Sequence, residues 1–157
     1  MSLQIVSNRE IGMDRALVVP ENQNSTRRMR RIVAGLSAEA WAARLPNGWS
    51  VPVTLAHLAF WDQRVLHVIQ VAQANGALSA PYLDGQLNDI LTPILSAISP
   101  EAAGELALRT AEALDSALEA CSEDLYTRLL EHNPRFVQRH LHRNHHLDAV
   151  ELATQSV

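Results

Sequence analysis

Helix-start signals divide this chain into long segments that favour α-helix. Ser50, Ser99 and Asn133 are each followed by a proline within two residues. A small polar residue caps a helix by accepting a backbone N–H bond, and proline is tolerated in the first turn because its missing N–H would be unpaired there. Signals for strands, such as period-two alternation and hairpin dipeptides, are nearly absent. The sequence therefore predicts an all-α protein.

The stretches between these signals predict the order of the helices. The main helices are expected at residues 21–34, 51–75, 101–121 and 135–154. A short capped helix is expected at residues 37–41, and a further helical stretch after Pro81 should break at Ser99. Residues 1–20 show no strong periodicity and are predicted to form an arm. Residues 21–157 are predicted to form a single domain, a four-helix bundle.

Composition and charge exclude several classes of function. The net charge is −4, so we do not expect a nucleic-acid partner. All 13 basic residues are arginine, which excludes a mechanism that needs a Schiff-base or P-loop lysine. The single cysteine, Cys121, excludes an intrachain disulfide and a cysteine-rich zinc site. No apolar run reaches the roughly 18 residues of a membrane span and no signal pattern opens the chain, so we expect a soluble cytoplasmic protein.

Histidines in two predicted helices indicate a metal site. His142 and His146 are four residues apart, a spacing that turns about 40° and rises about 6 Å on a helix, so both imidazoles can point to the same place. His57 lies in the second main helix among apolar neighbours, which favours an interior position. Three imidazoles can hold a divalent ion and leave coordination positions for water or substrate. His145 is an alternative to His146, because residues three apart also share a helix face.

Charged residues near the histidines suggest how a substrate is held. Arg139 and Arg143 lie beside the proposed ligands on the helical projection and are candidates for binding a substrate anion. The alternative is that both are helix-shoulder arginines with their charged ends in solvent. Asp62 lies about 140° from His57 around its helix. We therefore expect Asp62 to be solvated or to support a ligand from behind, and not to bind the metal.

The last helix also carries a second apolar side. Its members are Val137, Leu141 and Leu152. They predict either a second neighbour within the chain or a partner subunit, so a homodimer is one of two expectations.

The segments around the histidines resemble a known family. Residues 48–62, GWSVPVTLAHLAFWD, look like the second-helix signature of the DinB-like superfamily. Residues 142–151, HRNHHLDAVE, are similar to its H-x-x-x-H-L-x-x-I-E ending, with Val150 in place of isoleucine. The superfamily includes the metal-binding domain of mycothiol-dependent maleylpyruvate isomerase and the bacillithiol transferases. The resemblance spans roughly residues 20–155.

This resemblance implies a four-helix bundle with up-down-down-up connectivity and a divalent metal held by three histidines. By position the implied ligands are His57, His142 and His146. His146 is favoured over His145 because it is the residue followed by Leu-Asp-Ala-Val-Glu. The donor set does not distinguish zinc, nickel, manganese and iron.

The functional expectation is a metal-dependent enzyme that acts on a small electrophilic substrate. A metal ion lowers the pKa of a thiol or water. A low-molecular-weight thiol cosubstrate would give S-transferase or isomerase chemistry, whereas water would give hydrolysis. The alternative is a metal-binding or small-molecule-binding stress protein without turnover. A third, purely structural bundle would leave the histidines without a role.

Overall fold

The computed structural model describes residues 14–155. This range contains helices joined by loops and no strands. The α-helices in the described range are Arg15–Gly35 (α1), Ala38–Ala42 (α2), Val51–Asn75 (α3), Leu87–Leu95 (α4), Pro100–Ala120 (α5), Glu123–His132 (α6) and Arg139–Thr154 (α7). A 3-10 turn at Pro134–Phe136 leads into α7. Between residues 14 and 155 no helix is long and apolar enough to cross a membrane. The prediction of an all-α protein is confirmed.

The capping signals place two of the long helices where the sequence predicts them. The side chains of Ser50 and Ser99 each accept a backbone N–H bond in the first turn, and α3 and α5 begin directly after these residues. The side chain of Asn133 instead caps the 3-10 turn, and α7 begins at Arg139 rather than at the predicted Arg135. A cap followed by proline thus marks a helical start without specifying the type of helix.

Helix α1 begins at Arg15, six residues before its predicted start at residue 21. The side chain of Asp14 caps it by accepting the N–H of Ala16, and the helix continues through Pro20. Residues 15–20 are therefore helical and do not belong to an arm. Residues 1–13 of the predicted arm lie outside the described residues. Asp14 is a helix-start signal, but Pro20 favours a helix start near residue 21 and so hides the earlier start.

Helix α6 was absent from the predicted helices. The side chain of Ser122 caps it by accepting the N–H of Leu125, and Glu123 and Asp124 occupy its first turn. A small polar residue followed by acidic residues is itself a helix-start signal, since carboxylates are favourable beside the N-terminal end of the helix dipole. The signal was therefore present in the sequence.

Contacts among the long helices determine where the site can form. Helix α3 packs on α5 and α7, and α1 packs on the same two helices, so the four helices make a closed ring of contacts. One apolar cluster surrounds the first half of α3 and a second surrounds its second half. Between the clusters, Asp62 of α3, Asp115 of α5 and two arginines of α7 are buried together. The up-down-down-up order of directions stays a prediction.

The second apolar side predicted for the last helix is divided in the structure. Val137 is fully buried in the second apolar cluster, so its neighbours belong to the same chain. Leu141 and Leu152 are exposed on the surface of α7. The homodimer stays a prediction.

Tyr126 is a buried residue whose hydroxyl has no hydrogen-bond partner among residues 14–155. Burial raises the pKa of its phenol to about 12. Because an unpaired buried polar group costs about 1–3 kcal/mol of desolvation, Tyr126→Phe is expected to raise the free energy of unfolding by about 1 kcal/mol in urea denaturation. Tyr82→Phe is the matched control, since Tyr82 is 88% exposed and should show no change. A loss of stability in Tyr126→Phe would contradict this expectation.

Candidate metal centre

The three histidines implied as ligands meet where α3 faces α7. His57, His142 and His146 each present an imidazole nitrogen, and these atoms lie within 4.8 Å of one another. The Nε2 atoms of His57 and His142 are 3.2 Å apart. Two nitrogens bound to one tetrahedral zinc ion at 2.0–2.1 Å would be about 3.3 Å apart. The spacing of this pair is therefore suited to a shared ion.

The three histidines come together because of the apolar character of α3 and the one-turn spacing of two histidines on α7. His57 is buried because α3 is apolar on most of its faces and lies at the centre of the helix contacts. His142 and His146 are half-buried and share one face of α7 because they are separated by one helical turn. The indole of Trp49, just before the α3 cap, lies 4.8 Å from the ring of His57 and stacks on His146 at 6.1 Å. Trp49 therefore packs against clustered histidines of both helices.

His145, the alternative ligand, lies outside the cluster. It is exposed, and its ring meets the ring of His146 at a steep angle with the centroids 5.1 Å apart. Around a helix, residues three apart differ by about 60° and residues four apart by about 40°. The packing of α7 on α3 directs the face of His146 inwards and leaves His145 at the solvent edge. The structure thus brings together the set that contains His146.

Burial keeps all three clustered histidines neutral. Desolvation, followed by the charges of His146 and Arg139, lowers the pKa of His57 to about 3. Desolvation and then Arg139 lower the pKa of His142 to about 2, and desolvation with His145 lowers that of His146 to about 4. Neutral imidazole is the form that binds a metal ion, because a protonated ring has no free lone pair.

Arg139 lies between the histidines and a buried carboxylate. Its Nε donates to Oδ1 of Asp62 at 2.9 Å, and its Nη2 is 3.2 Å from Nδ1 of His142. The side chain is almost fully buried, so the expectation of a charged end in solvent is wrong for this residue. Arg139 nevertheless lines the cavity beside the histidines, and its role as a substrate-anion contact stays a prediction.

Arg143 is placed differently, although the helical projection predicts a position next to the same histidines. Its side chain is 0% exposed and is not part of the cavity wall. Its Nε donates to Oδ2 of Asp62 and its Nη1 to Oδ1 of Asp115, each at 2.8 Å. This geometry contradicts both expectations for Arg143, a substrate-anion contact and a solvent-exposed shoulder. Helices α1 and α5 close over its side of α7, which the sequence of α7 cannot show.

Asp62 is buried and supports the site from behind. It accepts from both arginines, and Arg139 in turn contacts His142. The solvated alternative is therefore wrong. A single carboxylate of α3 forms ion pairs with two guanidiniums of α7, so it helps to fix the position of α7 against α3.

A cavity of about 310 Å³ opens onto the histidines. Its wall combines aromatic rings with cations; these are Trp49, Trp61, Phe136, Arg64, Arg135 and Arg139. No acidic residue of the described range lines it. A concave surface lined by one sign of charge favours ligands of the opposite sign. The cavity is therefore suited to a small anion with an apolar body.

Arg64 is a cavity residue that the sequence reasoning missed. Its guanidinium lies over the rings of Phe136 and Trp61, at 5.1 and 5.7 Å from their centroids, and donates to the carbonyl of Pro81 at 2.8 Å. Burial and the charge of Arg139 lower its pKa. Arg64 lies seven residues, or about two helical turns, after His57, so the sequence places both on the same face of α3.

Comparison with known protein families identifies a match over most of the chain. The sequence profile described as the mycothiol maleylpyruvate isomerase N-terminal domain matches residues 23–149. The matched range contains the three clustered histidines, Asp62 and all of the cavity residues described above. No curated protein and no solved structure matches the chain.

Proposed function

The chain belongs to the mycothiol maleylpyruvate isomerase N-terminal domain family of the DinB-like superfamily, and from this premise we propose that it is a metal-dependent enzyme acting on a small electrophile. The reaction we propose is thiol-dependent S-transfer or isomerisation. The observation that carries the proposal is the group of three imidazoles with donor atoms within 4.8 Å of one another. His57, His142 and His146 would hold the ion.

The donor set is consistent with a divalent transition metal. Imidazole nitrogens suit borderline metals, and the set does not choose among zinc, nickel, manganese and iron. A bound ion of this kind would supply Lewis acidity, which lowers the pKa of a coordinated thiol or water towards neutrality. The family is named after mycothiol, a low-molecular-weight thiol, and this favours a thiol over water as the proposed cosubstrate.

The protein's own residues would bind and orient the electrophile. Trp49, Trp61 and Phe136 offer apolar surface that excludes water from the side of the histidines. Arg139 is positioned beside His142, so it can hold a substrate anion close to the cluster. Arg135 is exposed at the cavity and offers a second cation for the same anion. We therefore propose an electrophile with a carboxylate or similar anionic group.

Metal content tests the site. At pH 7.5, after incubation with zinc and removal of the excess, elemental mass spectrometry is expected to find about one ion per wild-type chain, since one three-histidine site is proposed. His57→Ala and His142→Ala should lose it. His67→Ala is the matched control, because His67 is exposed on the same helix as His57. A wild-type protein without metal, after zinc, nickel and manganese in turn, would contradict the proposal.

Thiol-dependent conversion of an electrophile tests the chemistry. The metal-loaded protein is mixed with a small thiol and pairs of electrophiles that differ only in a carboxylate or its neutral amide. We expect metal-dependent and thiol-dependent conversion, faster with the carboxylate member of each pair. S-transfer would consume one thiol for each electrophile, whereas isomerisation would convert the electrophile and regenerate the thiol. Arg135→Gln should reduce that preference while keeping the metal. Metal binding without conversion of any electrophile would contradict the enzyme and favour the metal-binding protein without turnover.

A further inference from the structure

We infer that Arg139 is a positioning residue that weakens the hold of the three-histidine site on a divalent ion, by presenting a cation to the rear nitrogen of His142. The inference rests on the proposed function only for the existence of the metal site. It concerns the affinity of that site, which no feature of the sequence alone addresses.

The two nitrogens of His142 face different partners. Nε2 faces the cluster, where it lies 3.2 Å from Nε2 of His57. Nδ1 faces Nη2 of Arg139, also at 3.2 Å. His142 would therefore bind an ion through Nε2, with the guanidinium directly behind the ring.

This arrangement is the reverse of the usual support for a metal-binding histidine. A ligand imidazole ordinarily donates its second N–H to a carboxylate, a carbonyl or water, which makes the ring a stronger electron donor. A guanidinium has five N–H donors and no acceptor. Arg139 therefore offers no partner to an N–H on Nδ1 of His142, and its positive charge opposes the arrival of a second cation.

The fold holds Arg139 in this position. Its Nε is bound to Asp62 at 2.9 Å and its Nη1 to the carbonyl of Arg135 at 2.9 Å. The other oxygen of Asp62 is taken by Arg143, so the carboxylate cannot move towards His142 without breaking that pair. The side chain is also almost fully buried, which leaves little space for another rotamer.

Two consequences follow for the chemistry. The ion should be bound less tightly and exchange more readily than in a site whose histidines are backed by carboxylates. Weaker donation from His142 would also leave the ion more electron-poor. Both effects suit a site that binds and polarises a cosubstrate more than one that stores a structural ion.

Zinc affinity in variants tests the inference. The dissociation constant is measured at pH 7.5 by competition with a chromophoric chelator, and folding is checked by circular dichroism. Arg139→Gln removes the charge and supplies an amide oxygen as acceptor, so we expect zinc to bind about 10–100-fold more tightly than in wild type. A structural role alone for Arg139 would give equal or weaker binding, and that result would overturn the inference.

Two further variants keep the test decisive. Asp115→Asn disturbs the same buried ionic network through Arg143 without touching His142, and should lower stability while leaving zinc affinity within about threefold of wild type. If Arg139→Gln does not fold, Arg139→Met removes the same charge and must also bind zinc more tightly. Zinc binding that is unchanged in the Arg139 variants overturns this inference alone. No zinc binding in wild type or in any variant overturns the proposed function as well.

Discussion

Asp62→Ala is expected to lower the free energy of unfolding by about 3–5 kcal/mol, because it leaves two buried guanidiniums without their shared carboxylate. Asp62 is 0% exposed and accepts from Arg139 at 2.9 Å and from Arg143 at 2.8 Å. Asp115 would remain as a partner for Arg143, but Arg139 would lose its only carboxylate among the described ion pairs. Urea denaturation of the metal-free protein, followed by circular dichroism, measures the change.

An exposed ion pair supplies the control for Asp62. Asp148 lies on the surface of α7 and accepts from Arg28 at 2.6 Å. Because water screens exposed charges, Asp148→Ala should cost less than about 1 kcal/mol. If Asp62→Ala cost no more than Asp148→Ala, the view of Asp62 as the buried anchor of two arginines would be wrong.

His146→Ala is expected to abolish metal binding, whereas His145→Ala should retain it. Loss of an outer partner of a metal ligand already costs about 10–100-fold in affinity, so loss of a ligand should cost more than about 100-fold. The donor nitrogen of His146 lies within 4.8 Å of the other two donor nitrogens. His145 is exposed, and its ring centroid lies 5.1 Å from that of His146. Isothermal titration with zinc, together with metal content after dialysis, measures both variants.

The adjacent histidines make this a closely matched pair, since they have the same chemistry and the same helix. If His146→Ala retained the metal and His145→Ala lost it, His145 would be the third ligand in place of His146. Equal loss in both variants would contradict the three-donor cluster and would point to a site that needs both rings.

Much of the site could be predicted because its residues occur in short patterns. His142 and His146 are separated by one helical turn, and that geometry is the same in any α-helix. His57 stands in an apolar helix, which predicts burial. Trp49 and Arg135 could not be predicted as cavity residues, because their positions depend on how the chain before α3 and the 3-10 turn before α7 fold back onto the site.

Interactions between residues close in the chain were enough to specify the helix starts at Val51 and Pro100, and the missed starts of α1 and α6 carried an Asp and a Ser cap. The start of α7 at Arg139 has no side-chain cap and carried no such signal. Caps and helical spacing act over a few residues, so they can be read from the chain directly. The different positions of Arg139 at the cavity and Arg143 away from it could not be predicted in this way. Arg143 is enclosed by contacts with Thr26, Asp62 and Asp115, which lie far from it in the chain, while Arg139 is left facing the cavity. Desolvation and ion pairing depend on which helices come together, and that is settled only when the helices pack.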